Sequence, residues 1–353
     1  MSAAPKLPVA YQEADNDSQE PVVTLLGSEI PHAYLDDAEP SPLMESASRL
    51  WSRIKKTMKL AAVLVLVGGY PAATVMAHKV DDSPISSASL APWASTEAGT
   101  ALTLIGRELT GAGWSADRPA WHPQARLTAL PAWQDGIISA LSDYAGMTAG
   151  LASDAEGNVD RDLSAASRLL APTEEADATP RLNAAAEALQ RYDGRLTRGL
   201  AAAPMGQESL QARLTLFASW AAQSQTQLQR SANSAEAWPA SRADIEAIYN
   251  ARAHAHVVVQ MISAILSTEP DLVTTPESAE ALDRMIVSWE RVSGFNPVFI
   301  SSQAGTGRIL SDHPATMAFY VSQAEAATEN LQAKLRTQAS APIAVADGSN
   351  TPS

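Results

Sequence analysis

The sequence predicts an all-α protein: an antiparallel multi-helix bundle or helical array with one N-terminal transmembrane helix. Three observations carry that reading. Alanine and leucine recur throughout the 353 residues while aromatics make up 5%, and those two residues stand among the strongest helix formers. No stretch alternates strictly between apolar and polar residues, as half-buried strands do. From Leu102 onward, apolar residues return every three or four positions, which is the spacing of one helix face.

Composition narrows the function classes. A net charge of −14 argues against nucleic acid as a partner, because phosphate binding needs a basic face. The absence of cysteine removes disulfides, thiol nucleophiles and cysteine metal sites together, and fits an oxidising compartment.

Residues 1–46 are rich in acids, with Lys6 as their one base. They show no apolar period, so the segment is expected to be a disordered tail. Residues 47–58 form a basic juxtamembrane segment in which Leu50, Trp51, Ile54 and Met58 share a helical face opposite lysine and arginine. The run Leu60–Ala77 carries no charge and sits near the ~18-residue threshold for a spanning helix. Arg49, Arg53, Lys55, Lys56 and Lys59 precede it, while Lys79 is followed at once by Asp81 and Asp82. The positive-inside rule then predicts a transmembrane helix over 59–78 in a bacterial inner membrane, with a cytoplasmic N-terminus and a periplasmic C-terminal domain. Gly68, Gly69 and Pro71 favour a kink. A cleaved signal peptide ending at Val75-Met76-Ala77 is the competing reading, but the region before it is too long and too acidic for a signal n-region.

A polar linker is expected over 79–94 and an all-helical periplasmic domain over 95–338. Leu102, Ile105 and Leu109 mark its first helix. A Trp-Pro loop follows, and Pro131 opens a helix with Ile137, Leu141 and Tyr144. Leu182, Leu189, Tyr192, Leu196 and Leu200 line another; Leu210, Leu214, Phe217, Ala221 and Leu228 form a near-heptad face that could pack within the chain or between chains. Arg242–Leu266 ends almost wholly apolar and belongs at the centre of the core. Thr275-Pro276-Glu277 reads as N-cap, first-turn proline and first-turn acid. A loop over Gly294–Asp312 leads to a last helix from Pro314, and 339–353 is expected to be a disordered tail.

The stretch RELTGAGWSADRPAWHPQARLTALPAWQDGIISAL, from Arg107, resembles the bacterial family called domain of unknown function 2333. The resemblance rests on Arg107, Glu108, Gly113, Trp114, Asp117, Pro119, Pro123, Pro131, Gln134 and Gly136; Leu130 stands where methionine is usual. Residues 248–262 and 295–324 are similar to the family as well. It implies a membrane-anchored helical protein and no particular reaction.

Trp114, Trp121 and Trp133 fall within the one loop, with Asp117 and Gln134 among them. They could form an interaction surface, since tryptophan is a frequent interface anchor. The structural alternative buries the tryptophans between helices and pairs Arg107 with Asp117. Arg308, Asp312 and His313 could line a polar pocket in the 295–313 loop.

His254 and His256 lie about 200° apart on a helix and do not converge on one ion, so no metal is expected. The acidic run Asp154–Asp162 has its glycine and its twelfth residue wrong for a calcium loop, and reads as a turn ending in an Asp-capped helix. Ser52-x-x-Lys55 and Gly305-Thr306-Gly307-Arg308 lack the companion residues of catalytic or phosphate-binding motifs. No catalytic residue and no cofactor is expected.

The chain therefore reads as a single-pass inner-membrane protein whose periplasmic domain is a non-enzymatic scaffold or binding module. Its partners are then the lipid bilayer and another envelope protein or cell-wall component. The alternatives are a periplasmic enzyme with its site near 114–133 or 295–313, and an adaptor whose acidic tail recruits a cytoplasmic partner.

Overall fold

The computed structural model describes residues 42–65, 80–111, 113–154, 157–173, 177–232, 241–297, 300–306 and 311–340. Most of both expected disordered tails lies outside these residues, as do residues 66–78 of the expected transmembrane helix and Arg308. Two compact units are present, Met1–Val63 and Leu64–Ser353.

The first unit contributes one helix, α1 (Pro42–Leu64), which starts inside the expected tail and continues without a break through the basic segment. Residues 50–65 are all exposed. Among the described residues no helix is long and apolar enough to cross a membrane. The helix carries just the opening Leu60–Leu64 of the charge-free run, so the transmembrane element of the expected fold is not supported by the described helices.

The second unit is helical throughout, with two short two-stranded pairings among its described residues. Its helices are α2 (Ser87–Leu90), α3 (Thr96–Thr110), α4 (Ala129–Leu151), α5 (Arg161–Leu170), α6 (Ala178–Thr197), α7 (Gly206–Ala232), α8 (Arg242–Thr268), α9 (Pro276–Ser293) and α10 (His313–Ser340). Strand β1 (Ser153–Asp154) pairs antiparallel with β2 (Ala201–Ala202), and β3 (Ser302–Thr306) with β4 (Ser311–Asp312). The second pairing lies in the stretch expected to be a plain loop.

Local chemistry sets the helix starts. Ser95 accepts the Ala98 N–H to begin α3, and Asp160 accepts those of Asp162 and Leu163 to begin α5. Ser241 and Asp244 form a reciprocal capping box on α8. Thr275 caps α9 with Pro276 in the first turn, the arrangement its sequence predicts.

Helix α8 is the axis of the bundle and touches α3, α4, α7, α9 and α10, which is why it is apolar nearly all round. The near-heptad face of α7 packs within the chain, against α10 and α8, and Leu210, Leu214, Phe217, Ala221 and Leu228 are all buried. Helices α4 and α8 cross closely: a Cβ on Gly136 would lie 2.6 Å from that of Ala253. Three tryptophans are fully buried, and each indole N–H has a partner: Trp133 with Glu108, Trp220 with Asp143, Trp289 with Thr328. That satisfies the one polar atom that makes tryptophan costly in a core.

Residues 80–86 are fastened to the bundle. Arg107 donates to the carbonyls of Ser83 and Pro84 and lies 3.9 Å from Asp81. Asp82 pairs with Arg252 at 3.3 Å, and the Ile85 N–H donates to Gln260 at 2.9 Å.

Candidate functional site

The Trp-Pro loop is built from the inside outward. Gln134, at the start of α4, is buried; its Oε1 accepts from the Ser115 N–H (3.0 Å) and hydroxyl (2.7 Å), and its Nε2 donates to the Gly113 carbonyl (3.0 Å). Gly113 has φ +74°, and the Arg118 guanidinium occupies the place a side chain there would need. Trp133 donates to Glu108 at 2.9 Å, with the Arg252 guanidinium 5.7 Å and the His256 ring 5.4 Å from its own. Burial raises the Glu108 carboxyl pKa, against the opposing hydrogen bonds from Trp133 and Gln134.

Trp114, Trp133 and Gln134 are thus core groups and offer a partner little surface. Trp121, at 73% exposure, is the aromatic that faces water. Asp117 does not pair with Arg107, which is held by the returning segment 81–84. Instead it reaches α6 and accepts the N–H groups of Ala178 (3.0 Å) and Thr179 (2.9 Å), plus the Thr179 hydroxyl. Burial works against its charge, but these hydrogen bonds outweigh it and lower its pKa. The neighbouring Asp177 sits at φ +65° and makes no capping bond, so the helix takes its cap from the loop.

In the other candidate loop, His313 is buried: its Nδ1 accepts the Ser301 N–H at 3.1 Å and its ring packs on Phe295. Arg308, its expected companion in a polar pocket, lies outside the described residues. His254 and His256 point to different sides, as their spacing requires, against Trp220 and Trp133 respectively.

An open groove of about 640 Å³ runs between the Trp-Pro loop, α4 and the start of α6. Trp114, Ile138 and Ala178 form its apolar floor and Ala116 its rim; Asp117, Asp135 and Arg181 add charge. Crowding desolvates the Asp135 carboxyl and, with Glu246, raises its pKa, while Arg181 opposes the shift. Arg181 is itself steadied by donating to the carbonyls of Leu169 and Ala171.

Three charge clusters built on buried arginines among the described residues were not anticipated from sequence. Arg213 binds Glu97 through two nitrogens (2.7 and 3.0 Å) and also the Tyr144 hydroxyl (2.9 Å), which in turn donates to Glu97. Burial disfavours the Arg213 charge, yet Tyr144 and Glu97 more than restore it. Arg195 bridges Asp160 (2.6 Å) and Asp162 (2.9 Å), so the acidic turn before α5 ends in a fully buried carboxylate. Arg252 joins Asp82, the Ser293 carbonyl and the Tyr249 ring. A signal existed: Arg213 and Arg252 both fall inside apolar stripes, where an unpaired charge would be too costly to keep.

Fold and site together define a helical unit in which the buried charges tie helices to one another, and the open groove joins an apolar floor to a few charged groups. Residues 176–338 match the model of a family described as an uncharacterized protein conserved in bacteria (DUF2333), the family that the sequence resembles. The match covers α6 to α10; the Trp-Pro loop lies before it. Searches of curated proteins and of solved structures gave no match.

Proposed function

We propose that this chain is a membrane-anchored binding module: one helix near 59–78 fixes it in a bacterial inner membrane, and the helical unit beyond takes up a partner in the groove beside the Trp-Pro loop. The groove is the observation that carries this reading. Its size suits a bound segment or small molecule, and it combines apolar floor with convergent charged groups. In support of the anchor, α1 presents exposed apolar residues at the point where the charge-free run begins, and acids flank that run on its far side.

Binding fits the site better than catalysis. Asp117 in the Trp-Pro loop, Trp133 and Gln134 at the start of α4 beside it, and His313 at the start of α10 beside the other loop are each engaged in holding the fold. The partner is an envelope protein or a cell-wall component.

The test is photo-crosslinking of the full chain in native membranes, beside Ala116→Arg, which places a long cation on the exposed rim without touching the core. A partner held by the parent chain and reduced at least tenfold by the variant supports the groove. An identical catch from both removes it. Alkaline carbonate extraction checks the anchor: retention in the pellet is expected, and release overturns it.

A further inference from the structure

Helix α1 concentrates exposed large hydrophobic side chains: Leu50, Trp51, Ile54, Met58, Leu60, Val63 and Leu64 are all open to solvent. Leu50 and Met58 are each more than 60% exposed, Trp51 is 58% exposed, and Ile54 is open to solvent. A lone helix with such a surface has no packed face to stabilise it and needs something to cover it.

At about 100° per residue, Leu50, Trp51, Ile54, Met58 and Ala61 fall within an arc of roughly 100°. Over residues 50–59 the rest of the circumference holds Arg53, Lys55, Lys56 and Lys59 with Ser52 and Thr57; Leu60, Val63 and Leu64 then fall on that side, so the two-faced pattern ends at Lys59. Lys55 flanks the arc on one side, its ammonium 5.5 Å from the Trp51 ring centroid, and Arg53 flanks it on the other. No acid occurs between Glu45 and Asp81, in a chain with 39 acidic residues. The segregation is one of charge as well as of hydropathy.

Those features choose among occupants. Pairing with a second copy along the apolar arc would set Arg53 of one helix near Lys55 of the other, and like charges beside a seam are repulsive. A neutral apolar partner leaves four cations without a role. An anionic bilayer answers both halves: acyl chains for the arc and phosphates for the cations.

We propose that α1 is an anionic-lipid-binding helix, seated with the Leu50–Trp51–Ile54–Met58 face at the acyl boundary and Arg53, Lys55, Lys56 and Lys59 against lipid phosphates. It rests on the membrane reading above for the helix's location, and adds to it a selectivity for lipid charge that an apolar span by itself does not confer.

The chain has no cysteine, so a single Thr57→Cys, at the edge of the arc, can carry a polarity-sensitive fluorophore in the full chain. The labelled protein is reconstituted into phosphatidylcholine vesicles and into vesicles with one third phosphatidylglycerol. The expected result is a label that enters an apolar setting with the anionic lipid and returns to water in about 0.5 M salt, where the Debye length falls to a few Å. Lys55→Gln with Lys56→Gln should weaken the anionic preference about 30-fold, from roughly fivefold per cation.

A label signal that is the same in both vesicles overturns the proposal, as does a signal acquired without lipid through self-association. Carbonate extraction of the same samples reads the anchor separately. Retention with no charge dependence leaves the anchor standing and removes the lipid selectivity. Release with charge-dependent burial removes the anchor and supports the helix as a lipid-binding element.

Discussion

Arg213, one residue before Leu214 in the apolar stripe of α7, is buried with Glu97 and Tyr144 upon it. Arg213→Ala would strand a carboxylate and a phenol whose pKa burial and Glu97 already raise. Breaking one side of a buried pair costs about 3–5 kcal/mol, so the urea midpoint should fall by a corresponding amount, and Arg213→Met with Glu97→Gln should recover part of it. The stripe made the anomaly legible; the partners were not, because Glu97 lies 116 residues away and Tyr144 69. His254 and His256 yield a second expectation. Burial lowers both to about 4, with Arg107 acting in the same direction on His256, Asp82 and Asp81 opposing, and Arg252 lowering it further. Below about pH 6.5 the unfolded chain takes up protons that the folded chain refuses until about pH 4, so stability falls across that window. Each histidine contributes a loss on the order of 3 kcal/mol. Glu108 acts with the opposite sign, since its raised pKa relieves a penalty on acidification. Comparing the pH dependence of unfolding in the parent and in His254→Phe, which keeps a ring on Trp220, isolates the histidine; an unchanged slope would refute it.

At the scale of elements, legibility followed the distance to the cap. The start of α9 could be read from sequence because Thr275 and Pro276 adjoin the helix, and the start of α5 because Asp160 does. The start of α6 could not, since its cap is Asp117, 61 residues earlier. Asp117→Ala should therefore cost about 1–2 kcal/mol, and hydrogen exchange should rise at the Ala178 and Thr179 amides before it rises elsewhere in α6. Protection unchanged at those amides would show that the loop does not cap the helix. The close crossing of α4 and α8 is legible in a different way: Gly136 stood out in the family resemblance, and the position of Ala253 gives the physical reason for a residue without a side chain.

For the whole molecule, helicity and the central place of α8 follow from apolar periodicity, because a helix surrounded by others must be apolar on every side. The groove does not follow from any periodicity. It is assembled from a loop, the wall of α4 and the first turn of α6, and arises from their packing alone. The same is true of the fastening of residues 80–86, which in sequence are a polar stretch between two apolar ones. Arg107→Ala should raise hydrogen exchange and proteolytic cutting over 80–86 several-fold with little change in the global melting temperature, because the bundle keeps its core. A large fall in melting temperature would instead make this segment part of the cooperative unit.

On the proposed anchoring, that fastening would set how far the helical unit can travel. If the proposed anchor ends at Ala77, three residues separate it from Asp81, a leash of four peptide steps that spans roughly 14 Å even when fully extended. A domain on so short a leash explores a thin shell above the lipid, and its local concentration toward anything resident in the same bilayer is correspondingly high. A target fixed farther out would have to come to it.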